Sequence, residues 1–321
     1  MQIFTNANYN FIRWRWHALA LSALVIGAGI VALATRGIPL GIDFSGGTIV
    51  IVQLEQGGEE QVRAAVASLP GDEVVQQYDD ASKRQVMIRL PQAQGAEVGT
   101  NLEQGSTQIE QALTAAGLKF QVISRELVGP SVGAALQRRG LIATIMSIVA
   151  ITIYIGFRFR FSFAVGAIAA TFHDIFVTIA FLVFFGYDFS LNVVAAILTI
   201  TGYSVNDTIV VFDRVRENLR ANRREPMEQV VNRSVNQTLG RTIITAGTTF
   251  LSVLALYLFG GEVLRGFAFT MLVGIISGTY STVFIASAIA IILSQKKARV
   301  VSAGAAPVPA ASRGKSKGAR A

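Results

Sequence analysis

The sequence predicts a polytopic α-helical membrane protein: six transmembrane helices, with one α+β domain carried between the first and second. Three observations support this. Apolar runs close to or above the roughly 18–20 residues that cross a bilayer recur along the chain. The 321 residues are 52% hydrophobic and only 15% charged, too little charge for a soluble protein of this size. Residues 36–140 break the pattern with mixed charge and period-2 segments.

Residues 1–16 are polar, then aromatic and basic at Phe11, Arg13, Trp14, Arg15 and Trp16, a cytoplasmic interfacial anchor. Span 1 covers residues 17–35. Ala32-Leu33-Ala34 resembles a signal-peptide cleavage site, but the apolar run is long for a signal h-region, so the span reading leads. Within 36–140, residues 48–55 read as a strand and 59–68 as a helix stopped by Pro70-Gly71. Two strands follow at 73–78 and 84–90, joined at Asp79-Asp80. A helix over 101–116 ends at Gly117, and 119–127 is the last strand. The order βαββαβ is the ferredoxin-like arrangement. Twelve acidic residues against nine basic ones suit an external, periplasmic domain.

Spans 2 to 6 are expected at 141–157, 163–185, 191–212, 241–259 and 266–293. An arginine-rich cytoplasmic loop fills 213–240, and a basic tail over 294–321 has the composition of disorder. Basic residues crowd the short loops on one side, which places both termini in the cytoplasm. That distribution also explains the net charge of +8 without nucleic acid, because no single folded basic patch is implied. The tail can touch anionic lipid. No cysteine is present, so disulfides, thiolate metal sites and cysteine nucleophiles are excluded. No nucleotide-binding, nucleophile-elbow or metalloprotease signature occurs, so neither enzyme activity, cofactor nor metal is expected.

The chemistry concentrates in residues 199–218, TITGYSVNDTIVVFDRVREN. Asp207 lies six residues before the charges that end the apolar run, roughly 9 Å inside the low-dielectric region. A carboxylate there costs about 2.5–3.5 kcal/mol on insertion scales, so it needs a partner, water or a proton. Thr199, Tyr203 and Asp207 share a helix face, with Asn206 beside them. On span 5, Arg241, Thr245, Thr248, Thr249 and Ser252 share another. Spans 4 and 5 run antiparallel, so Asp207 and Arg241 are expected to meet or to bracket one polar path. Asp207, Arg241, Tyr203, Asn206 and Thr245 are the candidate proton pathway, against the plain alternatives of a packing aspartate and a boundary arginine. Asp174, next to His173 in span 3, is a weaker candidate. Neighbouring helix positions point about 100° apart, so His173 and Asp174 are not expected to form a relay by themselves. Gly41, Asp43, Gly46 and Gly47 on one side of the external domain, and Gly129, Pro130 and Gly133 on the other, read as junctions or hinges. No Lys-Ser/Thr follows the first glycine cluster, which rules out a P-loop.

Taken together, GIDFSGG (41–47), VGPSVG (128–133), FHD (172–174), GYSVNDTIVVFDRVREN (202–218), TLGRTIIT (238–245) and LFGGEVLRGF (258–267) resemble the SecF family. The resemblance implies a resistance–nodulation–division superfamily architecture in the bacterial inner membrane. It implies pairing with SecD, action alongside the SecYEG channel, with YajC and YidC as further partners, and unfolded preprotein as substrate. It also implies use of the proton motive force late in export, with Asp207 and Arg241 matching the family's intramembrane polar pair. The readings left beside it are a proton-coupled small-solute exporter subunit of the same superfamily and a non-conducting scaffold for a partner.

Overall fold

The computed structural model describes residues 7–69, 74–78, 83–91, 101–222 and 224–304. The turns read at Pro70-Gly71 and Asp79-Asp80, and the tail beyond residue 304, lie outside the described residues.

Six helices or helix pairs are long and apolar enough to cross a membrane. They are α1 (Arg15–Arg36), α5 (Pro130–Arg158), α6 (Phe161–Phe185), α7 (Leu191–Ala221), α8 (Met227–Phe259), and α9 (Glu262–Ser281) running on into α10 (Ser287–Gly304). A π-helical segment, Thr282–Ala286, joins α9 to α10. α6, α7 and α9–α10 are the most enclosed; α1, α5 and α8 lie outside them with long apolar faces open. Small residues set the close crossings. The Cβ positions of Gly274 and Gly278 fall against Ile200 and Ser204 of α7, which gives the Gly274–Gly278 face its packing role.

Between α1 and α5 lies the domain. A four-residue helix α2 (Ile42–Ser45) leads into β1 (Gly47–Leu54), α3 (Glu59–Val66), β2 (Val74–Tyr78), β3 (Gln85–Pro91), α4 (Asn101–Ala115) and β4 (Phe120–Val128). The sheet order is β2-β3-β1-β4, with every neighbouring pair antiparallel. Alternation sends Val50, Val52 and Leu54 of β1 to one face. There they meet Val86, Ile88 and Leu90 of β3, Val62 and Val66 of α3, and Ile109 and Leu113 of α4. Eleven buried aliphatics make a core of the domain's own.

Two expectations change. Residues 213–240 are not a loop. α7 continues to Ala221 and α8 starts at Met227, so the two spans extend as a helical hairpin past the apolar stretch. The charge that ends an apolar run does not end a helix, because Glu, Arg, Asn and Leu hold helical geometry in water. Pro226, at the N-cap of α8, marks where the second helix begins. Arg158–Asp213, Arg233–Glu225 and the Asn218 amide on Ser234 tie the hairpin down. Likewise residues 294–304, read as the start of a disordered tail, continue α10. Gln, Lys, Ala and Arg are helix formers, and the next glycine is Gly304.

The N-terminal segment does more than anchor at an interface. Trp14 and Trp16 are exposed, but Ile12 is buried in the bundle. The Tyr9 backbone exchanges hydrogen bonds with Asn236, and Arg15 pairs with Glu228 at 2.7 Å.

Candidate functional site

The two glycine junctions meet. Gly41 donates its backbone N–H to Phe189 O at 2.7 Å, and Phe189 returns one to Pro39 O at 2.7 Å. Asp43 Oδ2 accepts from Leu191 N at 2.8 Å, capping the start of α7. Gly46 and Gly47 hold φ of 73° and 134°, where a side chain would be strained, and Gly47 opens β1. Gly129 caps α5, Pro130 is its first residue, and the Cβ position of Gly133 lies 3.0 Å from Phe44 O. These seven residues therefore surround one joint at the end of the bundle that carries the domain.

Arg89 of β3 locks that joint. Its side chain is nearly buried and pairs with Asp188 at 2.6 Å in the turn between α6 and α7, while also bonding Leu40 O. Burial pushes the Asp188 carboxyl above the usual carboxylate range, and the Arg89 charge and hydrogen bond pull it partly back. A raised folded-state value means the folded chain binds this proton more tightly than the unfolded one. The group's contribution to stability therefore rises as pH falls through the raised value and is least favourable at neutral pH. Two unequal outcomes are expected in thermal unfolding at neutral pH. Arg89→Met should cost about 1–3 kcal/mol, because it strands Asp188 and Leu40 O. Asp188→Asn should stay within about 1 kcal/mol. Equal losses would mean the ion pair itself holds the joint.

In the membrane, Asp207 stands where α7, α8 and the π segment converge. Its Oδ1 accepts from Thr242 Oγ1 at 2.6 Å, and its buried Oδ2 has no hydrogen-bond partner. Thr282 and the Arg241 guanidinium both stand close enough to act on its charge. Asp207, Arg241, Tyr203, Asn206 and Thr245 all line one small cleft of about 40 Å³. Among the described residues no ion pair joins Asp207 to Arg241, so the two bracket the cleft rather than meet. Asn206, Arg241 and Thr245 are exposed, which opens this side to the outside of the bundle. The rest of the α8 stripe is self-contained. Thr245, Thr248, Thr249 and Ser252 each donate to a carbonyl of the preceding turn.

Asp174 lies apart from that cleft, buried at 1% exposure. Ser277 donates to its Oδ1 at 2.6 Å, and Ser204 and Ser281 donate to its Oδ2 at 2.5 and 2.7 Å. His173 Nδ1 reaches Oδ1 at 3.1 Å, and Nε2 lies 2.9 Å from Ser22 Oγ of α1. His173 and Asp174, although adjacent, are in hydrogen-bond contact, and the line between them is completed only by Ser22 of another helix. The outcome is a Ser–His–Asp line, but Ser22 is buried between helices, so no substrate carbonyl can reach it. Ser22, Ser204, Ser277, Ser281, Thr242 and Thr282 were not singled out from the sequence. Ser277 and Ser281 do stand at i, i+4 beside the Gly274–Gly278 face, a spacing that could have marked them.

Comparison with known proteins agrees with this architecture. The family described as "Protein export membrane protein SecD/SecF, C-terminal" matches residues 108–296, and "SecD/SecF GG Motif" matches residues 31–57. A "Protein translocase subunit SecF" from Escherichia coli O157:H7 is 39% identical over 290 residues, covering 90% of this chain and 89% of the relative. Another from Desulfurispirillum indicum is 41% identical over 282 residues, covering 86% and 89%. The crystal structure of SecDF, a translocon-associated membrane protein from a Thermus species, superposes with a TM-score of 0.79 at 34% identity. That match covers 92% of this chain but 40% of the SecDF chain, so the chain spans less than half of that protein. With two family signatures, relatives near 40% identity over most of their length, and a six-helix bundle that fits one part of SecDF, the chain belongs to the SecD/SecF family of protein-export membrane proteins, as a SecF-type subunit of the SecDF accessory complex.

Proposed function

We propose that this subunit couples the proton motive force to late steps of preprotein export, with Asp207 taking up and releasing the proton and Arg241 answering the change in its charge. The observation that carries this reading is the half-satisfied Asp207 carboxylate in an open polar cleft, with Oδ2 buried and unpartnered and a guanidinium nearby. A residue that only packs is usually satisfied on both oxygens. Here one oxygen is left for a proton, a water or a partner's side chain.

The open face carrying Asn206, Arg241 and Thr245 supports SecD as the element that completes the bundle. SecYEG, YajC and YidC enter as further partners of the assembled translocase, and unfolded preprotein is the substrate. Residues 36–140 form a ferredoxin-like periplasmic domain in this reading, supported by the βαββαβ order and the β2-β3-β1-β4 sheet. The subunit lies in the bacterial inner membrane with both termini cytoplasmic, as the basic short loops suggest. The Gly41–Gly47 and Gly129–Gly133 joint transmits movement of the bundle to that domain. One charge crossing 100 mV supplies roughly 2.3 kcal/mol, enough to bias such a movement.

The test is proton flux and late-stage export in inverted membrane vesicles with SecD co-expressed. Arg241→Met is expected to lower both together at equal protein level. Lost export with flux unchanged would leave Arg241 structural and favour a non-conducting scaffold.

A further inference from the structure

The bundle holds a second ionisable pair that the Asp207 reading does not use. The hydrogen-bond directions around His173 and Asp174 can be counted proton by proton. Tyr280 gives its hydroxyl proton to Ala18 O at 2.7 Å. It can therefore only accept from Ser22, 3.2 Å away. Ser22 spends its one hydroxyl proton on that contact, so its oxygen accepts from His173 Nε2 at 2.9 Å. On the other side of the ring, Asp174 already takes three hydroxyl donors, from Ser204, Ser277 and Ser281. An ionised carboxylate only accepts, so Nδ1 also donates, at 3.1 Å. A neutral ring would turn the Ser22 hydroxyl back to Nε2. The Ser22 and Tyr280 oxygens would then face each other with no proton between them.

We propose that His173 and Asp174 form a buried imidazolium–carboxylate pair, a second proton-holding site that fastens α1 to the bundle through Ser22. Four donors on one carboxylate are the satisfaction that a buried ion pair needs. Two turns further along the same two helices, α1 and α6 also pack tightly, for the Cβ position of Gly29 falls 2.3 Å from Ala180 Cβ. α1 then runs directly into the Gly41–Gly47 joint, so the proton on this pair governs how firmly the arm of the external domain is held. The ring stacks on Tyr280 at 5.9 Å. On the elements packed here, the titratable groups nearest in sequence to these partners are Tyr203 and Asp207 of α7, beside and one turn beyond Ser204, and His17 of α1, more than a turn before Ser22; Arg15 and Arg36 of α1, Arg265 of α9 and the charges of α7 from Asp213 onward lie toward the helix ends. α5, the π segment and α10 contribute Ile155, Ala286 and Ala290 to the apolar core they share with α6. The pair is distinct from the Asp207 cleft and does not depend on Asp207 carrying protons.

The test uses the full chain in lipid bilayers with 15N-labelled histidine, observed by solid-state NMR at neutral pH. The chain has 2 histidines, and His17→Gln assigns the signals. Both ring nitrogens of His173 are expected to carry protons. Ser22→Ala and Asp174→Asn should each leave only one protonated, a change that a purely packing histidine would not show. An unprotonated ring nitrogen in the unsubstituted chain overturns the proposal, and that measurement needs no variant to fold. Asp207→Asn should leave the doubly protonated ring unaltered; a proton lost there overturns the claim of a separate site. Failure of the vesicle assay above would count against proton coupling at Asp207 and would leave this spectrum as it stands.

Discussion

Asp207→Asn is expected to abolish the dependence of late-stage export on the proton gradient while the chain inserts and accumulates normally. The geometry separates the two effects. Asparagine has the size of aspartate, and its Oδ1 can still accept from Thr242 Oγ1, now 2.6 Å from the carboxylate. The crossing of α7 and α8 should therefore stand. What disappears is the ability of Oδ2, buried and without a partner, to gain and lose a proton. A driving term of roughly 2.3 kcal/mol per charge at 100 mV corresponds to about a fifty-fold bias in a two-state equilibrium, and this is the factor at stake. Asp207→Glu keeps the proton but moves it by one methylene in a cleft of about 40 Å³, so partial coupling is expected. The measurement is export from inverted vesicles with and without a protonophore. Export by Asp207→Asn that remains sensitive to the protonophore would remove Asp207 from the pathway.

The membrane architecture was legible because burial in lipid writes itself directly into composition. The long apolar runs lie in helices, the last of them interrupted by the π segment, and the domain between the first two holds four strands. Helix ends in water were less legible, since charge stops an apolar run at Asp213 without stopping α7. At the site, Asp207 stood out because a carboxylate in an apolar run is expensive wherever it points. Its hydrogen-bond partner did not. Thr242 lies one residue from the expected Arg241, and helical phase alone cannot say which of two neighbours turns toward another helix. The same limit hid the environment of Asp174. Serines read as small spacers until α7 and α9 are placed against α6, when Ser204, Ser277 and Ser281 converge on one carboxylate. Long-range pairing of this kind depends on helix crossings, which a single sequence does not specify.

Gly166→Ala is expected to be among the most damaging single-methyl changes in the bundle. A Cβ built on Gly166 of α6 would lie 2.6 Å from Ala286 O and 3.4 Å from Ala290 N. Both are backbone atoms, so no side-chain rotation can clear the space. Ala286 closes the π-helical segment, whose wider turn is stabilised by Ser287 Oγ donating to Thr282 O at 3.0 Å. Moving α10 away from α6 must therefore disturb that segment. Overpacking of a close crossing costs about 1–3 kcal/mol, with more expected where the obstacle is backbone. Gly202→Ala is the matched control. Gly202 also lies within a membrane helix, but its added Cβ meets nothing within 4 Å, so helix propensity should make it neutral or slightly stabilising in the chain alone. Thermal unfolding in detergent separates the two. The loss at Gly166 should also reach the polar groups. Thr282, at the start of the π segment, bonds Thr208 at 2.9 Å, and Ser281 just before it bonds Asp174. A destabilised Gly166→Ala chain that kept both histidine ring protons would show that the π segment absorbs the strain locally. Loss of one would show that the α6–α10 crossing holds the Asp174 site in register.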